Sequence, residues 1–311
     1  MLKTRSIAEA SLLTGLSVAF YLAARFLPLV GFIIVFMSPI PLVILEMRHD
    51  LRTGAIALIV GMLLVMLLSG PLSGVSYALG FGVLALALGR IIELKRSAVE
   101  IIVWGSLVSL LCKVMLAVMM FYVTGLNPFT LDLAGMDQAM DWFLSFNGSN
   151  SEATRAQLEA VMSILPMMVP TIVIIASVGD SFFCYWLSAK VIRRVEHIDL
   201  PELPPFSEWH FPVSIIGAYV ASIVFSILGS KYPQYGVLIR VGLNVNMIVS
   251  YIFMLQGFSL AAWFLDKRGV NKRLRSVLLV VAFFMPILGQ LALYAGIFDM
   301  CWNIRRRAER R

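Results

Sequence analysis

Residues 99–124 read VEIIVWGSLVSLLCKVMLAVMMFYVT. After Glu100 the run holds one charged side chain, Lys113. At ~1.5 Å per residue a helix over this stretch crosses the ~30 Å hydrocarbon core of a bilayer. Apolar residues occupy every face and do not alternate strictly, so a membrane helix fits and an outer-membrane barrel strand does not. A charge at mid-bilayer costs at least ~2.5–3.5 kcal/mol on insertion scales, so Lys113 calls for a partner, a ligand or a water-filled cavity.

The same pattern recurs on both sides of this run. Apolar stretches between breakers fall at roughly 6–26, 31–46, 53–70, 73–90 and 164–189, then at 211–229, 236–265 and 275–298, the last interrupted by Pro286 and Gly289. Across 311 residues the chain is 60% hydrophobic and 14% charged, with a mean hydropathy of +0.89. That is more apolar surface than a soluble core buries, so lipid must serve as solvent. The fold class expected is all-α, a polytopic membrane helical bundle of eight to nine segments. Met1 to Arg5 is short and basic, and the apolar run behind it has no small-residue cleavage site, so it reads as a retained first span. Cys112, Cys184 and Cys301 are scattered and specify neither a disulfide framework nor a zinc site.

Basic residues give the orientation, because short Lys/Arg-rich loops stay on the cytoplasmic side. With the N-terminus inside, that side receives Lys3, Arg5, Arg48, Arg52, Arg90, Lys95, Arg96, Lys190, Arg193, Arg194, Lys267, Arg268, Lys272, Arg273 and Arg275. The opposite side receives Arg25, Arg155, Lys231 and Arg240. The tail arginines, Arg305, Arg306, Arg307, Arg310 and Arg311, join the cytoplasmic set if 275–298 turns back at Pro286 as a re-entrant hairpin, and that arrangement is expected. These clusters read as topology signals and contacts to anionic lipid heads. No aromatic-basic groove accompanies them, so no nucleic-acid partner is expected despite the net charge of +7. The localisation expected is the bacterial cytoplasmic (inner) membrane, multi-pass, with the N-terminus cytoplasmic.

Two loops divide the chain. Residues 125–163 form the one sizeable segment outside the apolar runs, with Leu133, Met136, Met140, Phe143 and Leu144 at helical spacing and Ser149 three before Glu152 in capping-box register. It reads as an interfacial connector or as a lid over a pocket that opens outward. Residues 196–212 carry Pro201, Pro204, Pro205 and Pro212 among Phe206, Trp209 and Phe211, which suits an ordered interfacial linker. The domains expected are a six-helix membrane core over 1–195, the linker 196–212, and C-terminal membrane helices with a basic tail over 213–311.

Residues 6 to about 96 have a familiar pattern. The first span, with Ala19-x-x-x-Ala23, resembles the opening helix of the substrate-binding S components of energy-coupling-factor vitamin transporters. Pro39-Ile40-Pro41, Arg52-Thr53-Gly54-Ala55 and Gly70-Pro71-Leu72-Ser73-Gly74 resemble the second to fourth helices of those proteins. With its Pro204-Pro205-Phe206, Trp209 and Gly296-x-x-Asp299, the whole chain resembles the YybS family of uncharacterised membrane proteins. The S-component resemblance covers about the first 190 residues. It implies a six-helix bundle binding a small molecule near the outer face, with the Ala19 and Ala23 face packing on a membrane partner. The roughly 110 residues beyond the sixth span depart from that pattern and could cover the partner surface or replace the partner.

The candidate site residues follow. Lys113 lies about eleven residues from the outer end of its span and Asp180 about fifteen from its own, a depth difference of only ~6 Å. The two are expected to face the bundle interior, as a structural ion pair or as a ligand or proton site. Asn127 and Asp132, in the outer loop, are candidate ligand contacts above them. Arg240 and Asn244 are four apart and share a helix face that could hold an anionic group, or could serve interhelical bonding and snorkelling instead. Enzyme motifs such as H-E-x-x-H, G-x-S-x-G, the P-loop and G-x-G-x-x-G are missing from the sequence. Ser177-Val178-Gly179-Asp180 lacks the first glycine of the G-x-G-D of intramembrane aspartyl proteases. No catalytic activity, cofactor or metal is therefore expected. The function expected is small-molecule binding in transport, beside a transmembrane subunit with an ATPase. The competing class is a membrane scaffold that organises a complex.

Overall fold

The computed structural model describes residues 4–27, 30–125 and 152–305, with the backbone alone at 4, 5, 32, 152–163 and 233. The loop residues Asn127 and Asp132, the Ser149 capping box, the amphipathic run at 133–144 and the tail arginines after Arg305 lie outside the described residues.

Every regular element among the described residues is a helix. In order these are α1 (Thr4–Phe26), α2 (Gly31–Val35), α3 (Pro39–Arg48), α4 (Leu51–Ser69), α5 (Pro71–Tyr77), α6 (Val83–Glu93), α7 (Ala98–Thr124), α8 (Glu152–Val195), α9 (Ser214–Lys231), α10 (Gly236–Lys267), α11 (Lys272–Phe284) and α12 (Pro286–Trp302). A π-helical turn, Ala78–Gly82, joins α5 to α6 so that Pro71–Glu93 forms one apolar rod. Among the described residues seven helices are long and apolar enough to cross a membrane, or eight if the bent pair α11–α12 counts as one span. The architecture is an all-α polytopic helical bundle.

The expected second span, 31–46, is corrected. It consists of two short helices, and the ten residues of α3 reach only ~15 Å. Pro39 begins α3 because it lacks an N–H and its ring clashes with the carbonyl four residues back. The turn before it is held from α1. Ser17 Oγ donates to Ser38 O at 2.7 Å and lies 2.8 Å from the hydroxyl of Tyr77, and Ser38 Oγ returns a bond to Ser17 O at 3.2 Å. All three side chains are buried, so each polar atom needs such a partner.

The break expected at Pro286 is present. The axes of α11 and α12 differ by 104° about Met285, whereas Gly289 sits inside α12.

The chain sorts into two compact units, residues 1–158 with 172–203, and 159–171 with 204–311. The first has a core of Leu, Val, Ile and Tyr drawn from α1, α3 to α8 and the π turn. In the second, α10 packs between α9 and α12 at backbone distance. A β-carbon on Gly257 would collide with the carbonyl oxygen of Ala292, and one on Gly296 with that of Phe253. Small residues are what allow helices to approach so closely without a hydrophobic drive between them.

Candidate functional site

α7 starts on a capping box: Ser97 Oγ accepts from Glu100 N, and Glu100 Oε2 accepts from Ser97 N, both at 3.3 Å. It ends at Gly125, whose φ of +71° is a left-handed stop. Between these ends Ile101, Gly105, Ser109 and Cys112 recur at helical spacing and are buried. On α8 the matching face carries Ser177, Ser181, Cys184 and Ser188. Gly105 sets the approach, because a β-carbon there would collide with Ser181 Oγ and stand 2.8 Å from Leu88 Cδ2. Ser181 Oγ donates to Ile102 O at 2.9 Å, fixing the register.

That register brings Lys113 and Asp180 together. Lys113 Nζ forms an ion pair with Asp180 Oδ2 and donates to Ser109 Oγ at 2.7 Å. Ser109, one helical turn before Lys113, points its hydroxyl toward the same Oδ2 at 3.4 Å. The side chains of Lys113 and Asp180 keep 24% and 16% of their exposure. The pair is thus partly shielded near the middle of two spans, and in this triangle Asp180 Oδ1 takes no part. The buried thiols of Cys112 and Cys184 lie beside it on the same two helices.

The other candidates are placed elsewhere. Asn244 lies in the second unit with its amide fully engaged. Its Oδ1 accepts from Thr171 N at 3.0 Å and from Thr171 Oγ1 at 2.7 Å, while Nδ2 donates to Met167 O and Arg240 O, each at 2.7 Å. Thr171 N and Met167 O are the groups that an α-helix joins across one turn. Asn244 bridges them in the stretch of α8 that carries Pro166 and Pro170, where the proline nitrogens cannot donate. Arg240 is exposed, and its carbonyl accepts from Asn244 Nδ2. On α1, Ala19 is exposed and Ala23 half-buried.

A polar cluster in the second unit was not apparent from the sequence. Gln256, Ser259 and Asp299 are fully buried, and Arg305 is 9% exposed. Gln256 Nε2 donates to Asp299 Oδ2 at 2.5 Å and lies 3.0 Å from His210 Nδ1, while its Oε1 accepts from Phe211 N at 3.0 Å. Arg305 donates to Ser207 O at 2.6 Å and to Ser259 Oγ at 2.9 Å, and its Nε stands 3.3 Å from Asp299 Oδ2. Ser259 Oγ in turn bonds Phe206 O and Trp209 O. The cluster ties the linker to α10 and to the end of α12. Arg305 therefore departs from the lipid-head contact expected of the basic tail. Burial pushes its guanidinium down from the usual arginine range, against the opposing pull of Asp299. The available signal was Gln256 deep in an apolar span together with Asp299 six residues before a run of arginines.

At one end of the first unit Arg48 bridges Glu9 of α1 and Glu196 just beyond α8, and the two carboxylates hold its guanidinium above the usual range, Glu196 more than Glu9. Among the described residues no three His, Cys, Asp or Glu side chains gather as metal ligands.

A family model described as predicted membrane protein (DUF2232) matches residues 15–300. The chain belongs to the DUF2232 family. It is 24% identical, over 314 aligned residues covering 99% of this chain and 100% of the relative, to the uncharacterized protein YybS of Bacillus subtilis (strain 168). No solved structure matches it. The DUF2232 match takes in both units, and so both the Lys113–Asp180 group and the Gln256–Asp299 cluster.

Proposed function

We propose that this DUF2232 protein is an integral membrane subunit, S-component-like in build, that binds a small molecule and works in transport beside a transmembrane partner that carries an ATPase. The observation that carries the reading is the Lys113–Asp180–Ser109 group. It places an ammonium, a carboxylate and a hydroxyl together at mid-span while leaving each charged side chain partly accessible. A polar molecule could exchange for the internal partners, its carboxylate taking the ammonium of Lys113 and its donor the carboxylate of Asp180. A purely structural pair has no need of that access.

The partner is supported by α1. Gly15, Ala19 and Ala23 follow at intervals of four, Ala19 is exposed, and nothing lies within 4 Å of where a Gly15 β-carbon would stand. Such a smooth stripe suits helix-on-helix packing in lipid. The sequence contains no nucleotide-binding motif, so energy would come from the partner. The distribution of Lys and Arg supports a cytoplasmic N-terminus in the bacterial cytoplasmic membrane.

Affinity purification of the tagged chain from its native membrane tests the reading. A membrane subunit with ATPase activity is expected to accompany the wild-type chain and to be lost from Ala19→Leu, whose side chain lies outside the core. A wild-type chain that brings down no ATPase-linked membrane subunit contradicts the transport role and favours a scaffold.

A further inference from the structure

One buried side chain of the first unit takes no part in the Lys113–Asp180 group. Glu46, near the end of α3, has no exposure at all, and neither of its carboxyl oxygens has a hydrogen-bond partner. The fold makes room for it deliberately. A β-carbon on Gly54 of α4 would collide with Glu46 Oε2 and stand 2.9 Å from Leu86 Cδ2. One on Gly89 of α6 would stand 2.7 Å from Glu46 Cβ. The carboxyl thus occupies a slot opened by two glycines and walled by a leucine methyl.

A carboxylate with no donor and no cation in such a slot is the costliest state a glutamate can adopt, and binding a proton removes most of that cost. A metal cation would need several oxygen ligands, and the atoms crowding the slot at Gly54 are Glu46's own oxygen and carbon and a leucine methyl. The charged groups on the packed elements are accounted for. Arg90 and Glu93 of α6 and Asp50 ahead of α4 act on Glu46 electrostatically, and Arg90 and Glu93 pair with each other at 2.5 Å. From α1, Glu9 is committed to Arg48 and His49. Arg52 of α4 is exposed, and the π turn Ala78–Gly82 carries no charge.

A cleft of about 520 Å³, lined by Met47, Glu93, Lys95 and Asp199 among others, lies at this end of α3 and includes a carboxylate that acts on Glu46. We propose that Glu46 is a proton-binding site, holding a neutral carboxyl at pH 7 and exchanging its proton through this cleft. The proposal stands independently of any ligand at Lys113 and Asp180.

The test uses the full-length protein in membranes and the apolar probe dicyclohexylcarbodiimide. A neutral carboxyl adds its O–H across a C=N bond of the probe, and the resulting O-acylisourea rearranges to a stable N-acylurea with no leaving group. Peptide mass spectrometry is expected to find this adduct on Glu46 at neutral pH, with a yield that falls as the buffer is made alkaline. Infrared spectra supply a second readout that needs no probe access: a carboxylic-acid carbonyl band present in the wild type and lost in Glu46→Gln. Either signal supports a bound proton. If both are absent at neutral pH, Glu46 is ionised and the proposal is overturned. An adduct yield that stays constant into alkaline buffer overturns the exchange through the cleft.

Discussion

Replacing Lys113 or Asp180 by alanine strips one charge of its partner and leaves the other at mid-span. Breaking a fully buried ion pair from one side costs ~3–5 kcal/mol, because an uncompensated charge remains. Here a quarter of the lysine side chain and a sixth of the aspartate side chain are still exposed, which screens the orphan and lowers the expectation to about 2 kcal/mol for each single change. Removing both charges leaves no orphan. What is lost then is the lysine stem packing and its bond to Ser109, again about 2 kcal/mol together. The double variant should therefore be no less stable than either single one, giving a coupling of about 2 kcal/mol. Denaturant unfolding in mild detergent, followed by the fluorescence of the six tryptophans, measures all four corners of this cycle. If the double variant loses the sum of the two single losses, with a coupling within ~0.5 kcal/mol of zero, the two residues do not act as a pair and the reasoning fails.

Two further outcomes concern the second unit. Asn244→Leu leaves Thr171 N and Met167 O without their bridge, so stability should fall by about 2 kcal/mol and the Thr171 amide should exchange faster with solvent; unchanged protection at Thr171 would contradict the bridging role. Gly257→Leu drives a side chain into the Ala292 carbonyl and should cost about 3 kcal/mol or prevent folding, whereas Gly289→Ala, whose β-carbon would stand 3.6 Å from Met254 Sδ, should be neutral or gain up to ~1 kcal/mol from helix propensity. Equal melting temperatures for the two variants would refute the close approach of α10 and α12.

Spans and local breaks were legible in the sequence because their causes are local. Twenty apolar residues, a proline without an N–H and a lone lysine announce themselves within one window, and the depth of Lys113 and Asp180 followed from counting along two opposed helices. The pairing of α7 with α8 was not countable. It depends on Gly105 admitting Ser181, a fit between residues 76 positions apart that only packing reveals. The α2–α3 break was missed because hydropathy runs on through Met37 and Ser38, while the bond that holds the turn comes from Ser17 of α1, itself bonded to the Tyr77 hydroxyl of α5. Glu46 looked like a span edge beside Arg48 and His49, yet the short α3 carries it inward between α4 and α6. Arg305 looked like one arginine of a basic tail, and what distinguishes it is the carboxylate of Asp299 six residues earlier, brought close by a left-handed Asn303 that ends α12.

Native mass spectrometry of the chain released from lipid nanodiscs, comparing the wild type with the Lys113→Ala, Asp180→Ala double variant, tests whether the Lys113–Asp180 group holds a small molecule. A non-lipid adduct is expected, bound one to one by the wild type and lost from a double variant that is still folded. A wild-type chain that carries lipid alone, or an adduct retained unchanged by the double variant, would contradict it.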